Sequence, residues 1–130
     1  MYSATTRSIQ VTVQPIFLDE RSSPSDNHFM WAYRVKIENF GAEVIWLRAR
    51  HWQITDGNGR QQEVRGAGVV GEQPELKPGE TFEYTSGTPL NTPSGIMVGS
   101  YRVETAGGEQ FDVTIPAFSL DSPHQRVQIH

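Results

Sequence analysis

At 130 residues, with 36% hydrophobic and 10% aromatic content, the chain is one domain's worth, able to bury roughly two thirds of its unfolded surface around a single core. A formal net charge of −4 argues against a general nucleic-acid binder, which needs a positive field, and the absence of cysteine excludes disulfides, thiolate metal sites and cysteine nucleophiles. Met1 to Ser8 lacks the apolar core of a signal peptide, no run approaches the ~20 apolar residues that span a bilayer, and a cysteine-free chain suits a reducing cytoplasm.

From Ser8 to Phe17, Ile9, Val11, Val13, Pro15 and Phe17 share one face and Ser8, Gln10, Thr12 and Gln14 the other. That is a half-buried strand, and Pro15, which has no N–H to donate, places it at a sheet edge. Leu18 to His28, with its Ser22-Ser23-Pro24-Ser25-Asp26-Asn27 run, reads as a loop. Alternation returns from Phe29 to Asn39, with Trp31, Tyr33, Val35 and Ile37 opposite Arg34, Lys36 and Glu38, and stops at the turn Asn39-Phe40-Gly41.

Val44 to Thr55 opens with Val44, Ile45, Trp46 and Leu47, apolar on both faces as a central strand would be. Asp56-Gly57-Asn58-Gly59 then closes a hairpin, Asn-Gly being suited to a type I′ turn, and Gln61 to Arg65 is the return strand. After a turn over Leu76 to Glu80, strands follow at Thr81–Ser86, Ile96–Thr105 and Gln110–Ile115, with Phe118 and Leu120 docking on the body. Residues 1–6 and 121–130 are expected to be flexible.

About seven strands with frequent turns, no amphipathic helix and no internal repeat make this an all-β sandwich occupying the whole chain. Two residues fit an immunoglobulin-like version. Trp46 lies on the third strand, where such folds bury a tryptophan, and Tyr101 precedes Val103 by the spacing of a tyrosine corner. Both fit an ordinary aromatic core equally well.

Gly66-Ala67-Gly68-Val69-Val70-Gly71 has the G-x-G-x-x-G pattern of a dinucleotide fingerprint. That motif works only where a helix follows, with its N-terminus facing the pyrophosphate. Here Glu72-Gln73-Pro74-Glu75-Leu76-Lys77-Pro78-Gly79 follows, and its prolines exclude a helix of useful length. The glycines then either allow an irregular crossing between strands, with Val69 and Val70 covering the core, or present successive amides as an anion nest.

Arg48, Arg50, Trp52 and Ile54 share parity, and a two-residue hairpin turn would bring Glu63 and Arg65 to the same face. Arg50 and Arg65 would then lie together, solvated, paired to Glu63, stacked on Trp52 or neutralised by an anion, and arginine matches phosphate geometry. The candidate anion site is Arg50, Arg65, Gly66, Gly68 and Gly71. Among His28, His51, His124 and His130 there is no metal spacing; no serine or threonine sits in a nucleophile elbow, and the carboxylates are scattered. No catalytic constellation and no cofactor are expected.

Leu47-Arg48-Ala49-Arg50-His51-Trp52-Gln53-Ile54-Thr55-Asp56-Gly57-Asn58-Gly59 and the stretch from Val64 through the glycine run to Pro74 resemble the ApaG family. Leu76-Lys77-Pro78-Gly79-Glu80, Tyr84-Thr85-Ser86-Gly87, Pro93-Ser94-Gly95-Ile96-Met97 and Ile115-Pro116-Ala117-Phe118 continue the resemblance in order, from about Arg7 to Leu120. Arg50, Trp52, Gly66, Gly68 and Gly71 belong to the shared pattern; Arg65 does not. The resemblance implies a fibronectin type III-like sandwich in a bacterial cytoplasmic protein with no catalytic residues. It further implies a genetic link to cobalt tolerance and magnesium efflux, and a domain that serves protein–protein interaction where it is attached to F-box and DNA-polymerase-associated proteins. The expected partner is another protein, with no nucleic acid and no membrane, and the chain acts as a monomer or homodimer.

Overall fold

The structure, a computed structural model, describes residues 1–124. It contains β1 (Tyr2–Thr6), β2 (Ile9–Phe17), β3 (Phe29–Asn39), β4 (Ile45–Asp56), β5 (Gln61–Ala67), β6 (Glu75–Leu76), β7 (Thr81–Leu90), β8 (Gly95–Thr105) and β9 (Gln110–Leu120). Two short 3-10 turns, Asp19–Arg21 and Pro24–Asp26, lie in the loop before β3. The strands form two antiparallel sheets, ordered β1-β2-β3-β7 and β5-β4-β8-β9, with the two-residue β6 also pairing β4. The fold is the expected all-β sandwich, and no helix of the described residues is long and apolar enough to cross a membrane.

Alternation fixes the core. Val11, Val13, Trp31, Val35 and Ile37 of the first sheet meet Leu47, Tyr101, Val113, Ile115 and Phe118 of the second, all at most 1% exposed. At roughly 1.5–3 kcal/mol per large apolar side chain, this interface is the main stabilising term of the fold. Asn39 ties loops to it: 1% exposed, its Nδ2 donates to Glu43 O at 2.8 Å and Leu76 O at 3.0 Å, while its Oδ1 accepts from Gly41 N at 3.0 Å. Each of its side-chain polar atoms is satisfied, as burial requires.

Residues 1–6, expected to be flexible, instead supply β1, registered from Tyr2↔Val13 to Thr6↔Ile9. Tyr2 holds the strand down: its ring lies 6.0 Å from Phe118 and its hydroxyl 2.9 Å from Ser119 Oγ. β2 is therefore interior rather than an edge strand. Pro15 lies past Val13, where β1 ends and β3 alone borders β2. Of the expected C-terminal tail, 125–130 lies outside the described residues, while His124 packs against Phe17 and Phe29, with ring centroids 5.9 and 6.0 Å away.

Two bulges reset parity. Leu47 pairs Val103 but Ala49 pairs Arg102, so Arg48 is an extra residue in β4. Odd residues Ile45 and Leu47 face the core before it, and even residues Trp52 and Ile54 after it. Trp46 is accordingly half-buried, with the Arg48 guanidinium 5.4 Å from its ring, and Trp52 is the buried tryptophan of this strand. In β9 the register shift falls at Pro116, beside Ala117, where a ladder donor is missing anyway. The Tyr101 hydroxyl meets the Tyr84 hydroxyl rather than backbone upstream, so the tyrosine-corner contact is replaced by a pair across the sheets.

The two seams of the sandwich differ. At one, β1 and β2 lie over β9, joined by Tyr2–Ser119, by Thr114 N donating to Thr6 Oγ1 at 3.1 Å, and by an Arg7–Glu109 ion pair at 2.9 Å. At the other, β7 pairs β3 and β5 pairs β4, and each turns an open edge outward.

Candidate functional site

The β4–β5 hairpin sets which residues share a face. Its loop is three residues, Gly57 to Gly59. Asp56 N donates to Arg60 O at 2.9 Å, Gly59 N donates to Asp56 O at 3.0 Å, and Gly59 takes φ +83°. Asp56 Oδ1 caps it, accepting from Asn58 N and Arg60 N. A three-residue loop ending in a left-handed glycine replaces the expected two-residue type I′ turn. The odd loop length pairs His51 with Arg65 and Arg50 with Gly66. Arg65 therefore joins the outer face with His51 and Glu63, not the face of Arg50, Trp52 and Ile54; the expected side-by-side Arg50–Arg65 pair is corrected on this ground.

Arg50 faces the inner side. Its Nη1 donates to Ala67 O at 3.2 Å and Gly68 O at 3.1 Å, and its guanidinium lies over Gly66. Gly66 is thus the space the guanidinium occupies: a Cβ there would sit 2.8 Å from Nη1. Gly68, at φ +65°, sits so close to Glu72 O that a Cβ would fall 2.1 Å from it.

The rest of the glycine run is a tight turn. Val69 N donates to Glu72 O at 2.6 Å and Glu72 N to Val69 O at 3.0 Å. The central residues Val70 and Gly71 have φ +45° and +81°, the signs of a type I′ turn. Val69 is fully buried, but Val70 is 52% exposed, so one valine covers the core and not both. Of the loop amides, those of Gly68, Val69 and Glu72 donate within the chain, to Arg48, Glu72 and Val69.

On the outer face of the second sheet lies a shallow depression of about 590 Å³. Its floor is small: Ala49, Gly66, Ala67 and Ser100. Its rim is cationic: Arg48, Arg65 and Arg102, with His51 between them. Arg50 also borders it, so three of the five expected site residues meet here, Arg50, Arg65 and Gly66; Gly68 and Gly71 do not line it.

Each rim arginine leans on a carboxylate. Arg48 lies 3.5 Å from Glu104 and donates to Gln73 at 3.0 Å, Arg65 lies 3.5 Å from Glu63, and Arg102 lies 2.8 Å from Asp112. The Glu63 carboxyl is held below its ordinary value by the Gln53 amide first, then by Arg65 and His51. Gln110, then Arg48, does the same for Glu104. His51 Nε2 is buried without a hydrogen-bond partner among the described residues, 3.7 Å from Glu63.

Sequence reasoning missed Arg102 and the small floor. Their alternation is visible in β8, but the register that sets Arg102 beside Ala49 depends on the Arg48 bulge. Among the described residues, no group of three histidines or carboxylates is placed to hold a metal ion.

Comparison with known proteins places these residues in a family. A family model described as the ApaG domain matches residues 19–105. A protein ApaG of Paramagnetospirillum magneticum is 63% identical over 130 residues, covering 100% of both chains. Another, of Rhodospirillum centenum, is 68% identical over 126 residues, 97% of each. A crystal structure described as the putative ApaA protein of Bordetella pertussis superposes with a TM-score of 0.87 at 50% identity, covering 90% of this chain and 95% of that one.

Proposed function

The chain belongs to the ApaG domain family, and from that premise we propose that it is a non-catalytic binding module that docks an extended, acidic segment of another protein in the arginine-rimmed depression. The observation that carries this reading is the combination of a small-residue floor, Ala49, Ala67 and Ser100, with the guanidinium groups of Arg48, Arg65 and Arg102 around it. A floor without large side chains lets a backbone approach. Guanidinium forks take carboxylates two oxygens at a time.

The rim ion pairs are exposed and screened by solvent, so an incoming carboxylate can replace Glu63 or Asp112 at little cost. The open edge of β5 adjoins the depression and offers backbone groups to an extended partner. The cytoplasm is the proposed location, as the cysteine-free composition favours. The family's link with cobalt tolerance and magnesium efflux would then run through the docked partner.

The test is fluorescence anisotropy with a labelled glutamate-rich peptide at low salt. Binding should weaken with added salt and be lost in Arg65→Glu and Arg102→Glu. Equal binding by those variants would sink this docking surface. A small oxyanion in the same depression, reaching Arg50, Arg65 and Gly66, is the second reading, favoured by the partnerless His51 Nε2. Inorganic phosphate should then shift the amides of residues 66–71, and no shift at millimolar phosphate rules it out.

A further inference from the structure

We propose that the open seam between β5 and β7 is a binding slot for a small organic acid: a carboxylate carried on a compact apolar body. This site lies on the inner side of β4, opposite the depression, and is independent of the reading above. The slot measures about 240 Å³ and is bordered by Arg50, Trp52, Tyr33, Val64, Ser86 and Thr88. It exists because no strand joins the two sheets here, unlike the seam that Tyr2 and Thr6 close.

The carrying observation is a set of unmatched polar groups on one small space. Arg50 uses Nη1 for the carbonyls of Ala67 and Gly68. Its Nε and Nη2, the indole N–H of Trp52 and the hydroxyls of Tyr33, Ser86 and Thr88 make no hydrogen bond within the described residues. Yet Trp52, Tyr33 and Thr88 are only 3%, 6% and 4% exposed. None of these atoms is sealed from solvent, a condition met among the described residues by His51 Nε2. Open to solvent, these groups are served by water, which a ligand carrying matching lone pairs can replace while adding the apolar contacts of the slot.

The chemistry of the ligand follows from the groups. The Nε–Nη2 edge of a guanidinium presents two parallel N–H donors, the match for one carboxylate. The hydroxyls and the indole N–H can serve its remaining lone pairs. Trp52, Ile54, Val64 and Met97 form the apolar wall. The volume is below the roughly 300–1,000 Å³ of drug-sized sites, which limits the body to about one ring.

Phenylacetate is the probe, titrated into the full-length ¹⁵N-labelled protein. The expected result is a shift of the Trp52 indole and of the Ser86 to Thr88 amides, weakened ~10-fold or more in Arg50→Lys. Ser86→Phe, which fills the mouth and leaves Arg50 in place, should abolish the shifts with the circular dichroism spectrum unchanged. It should leave glutamate-peptide binding intact, which separates this slot from the outer depression. No shift of the Trp52 indole at tens of millimolar phenylacetate, equal shifts with inorganic phosphate, or undiminished binding in Ser86→Phe would each overturn the proposal.

Discussion

The Arg50 guanidinium lies face-on against Gly66: a Cβ on residue 66 would stand 2.8 Å from Nη1 and 2.9 Å from both Cζ and Nη2. The first glycine of the run is thus fixed by a cross-strand arginine. Arg50 cannot simply swing away, because Nη1 is held by the carbonyls of Ala67 and Gly68.

Gly66→Ala should therefore cost ~1–3 kcal/mol in urea denaturation, the usual range for overpacking. In an Arg50→Ala background the same change should be nearly neutral, since the obstructing group is gone. A double-mutant cycle reads the coupling directly. Equal costs in both backgrounds would show that the glycine answers to something else.

The Tyr84–Tyr101 hydroxyl pair makes stability depend on alkaline pH. Burial is the first cause that pushes both phenols well above their ordinary value of about 10. The folded state holds these protons more tightly than the unfolded chain. Their contribution is complete below about pH 10 and is lost as pH rises beyond it. Denaturation midpoints should fall steeply above about pH 10, and less steeply in Tyr84→Phe, which removes one titrating group. If all four tyrosines ionise together near the ordinary value with the fold intact, the pair is not protected as described.

Val70 is a β-branched residue at φ +45°, exposed at the tip of its turn. A left-handed conformation costs an L-residue roughly 1–2 kcal/mol, and asparagine tolerates it best among residues with a side chain. Val70→Asn should raise the urea midpoint by an amount equivalent to ~1 kcal/mol. An unchanged or lower midpoint would mean that the valine side chain makes a stabilising contact that outweighs its backbone strain.

The strands of the core were legible because their alternation is strong. Phe29 to Asn39 is read from the sequence with the same boundaries as β3. β1 was not: Tyr-Ser-Ala-Thr-Thr has one large side chain, and its pairing depends on Tyr2 reaching Phe118, over a hundred positions away. The candidate site was legible in residue type but not in face. The Asn58-Gly59 pair signals a two-residue turn, whereas Asp56 stabilises a three-residue one, and that single residue moves Arg65 across the sheet. Gly66 was visible as a glycine, but its reason is a register contact with Arg50 that no local pattern encodes.

The extra residue at Arg48 works like a frameshift in the pleat. Upstream of it the strand is written in one phase, downstream in the other, and both phases make sense only because Arg48 stays outside the ladder. Drawing Arg48 into the ladder would leave the sequence of the second half intact and reverse its meaning: Trp52 and Ile54 would face water, His51 and Gln53 the core, and Arg50 would leave Gly66 for the opposite side of the sheet, whereas deleting Arg48 would merge the two phases into one regular strand.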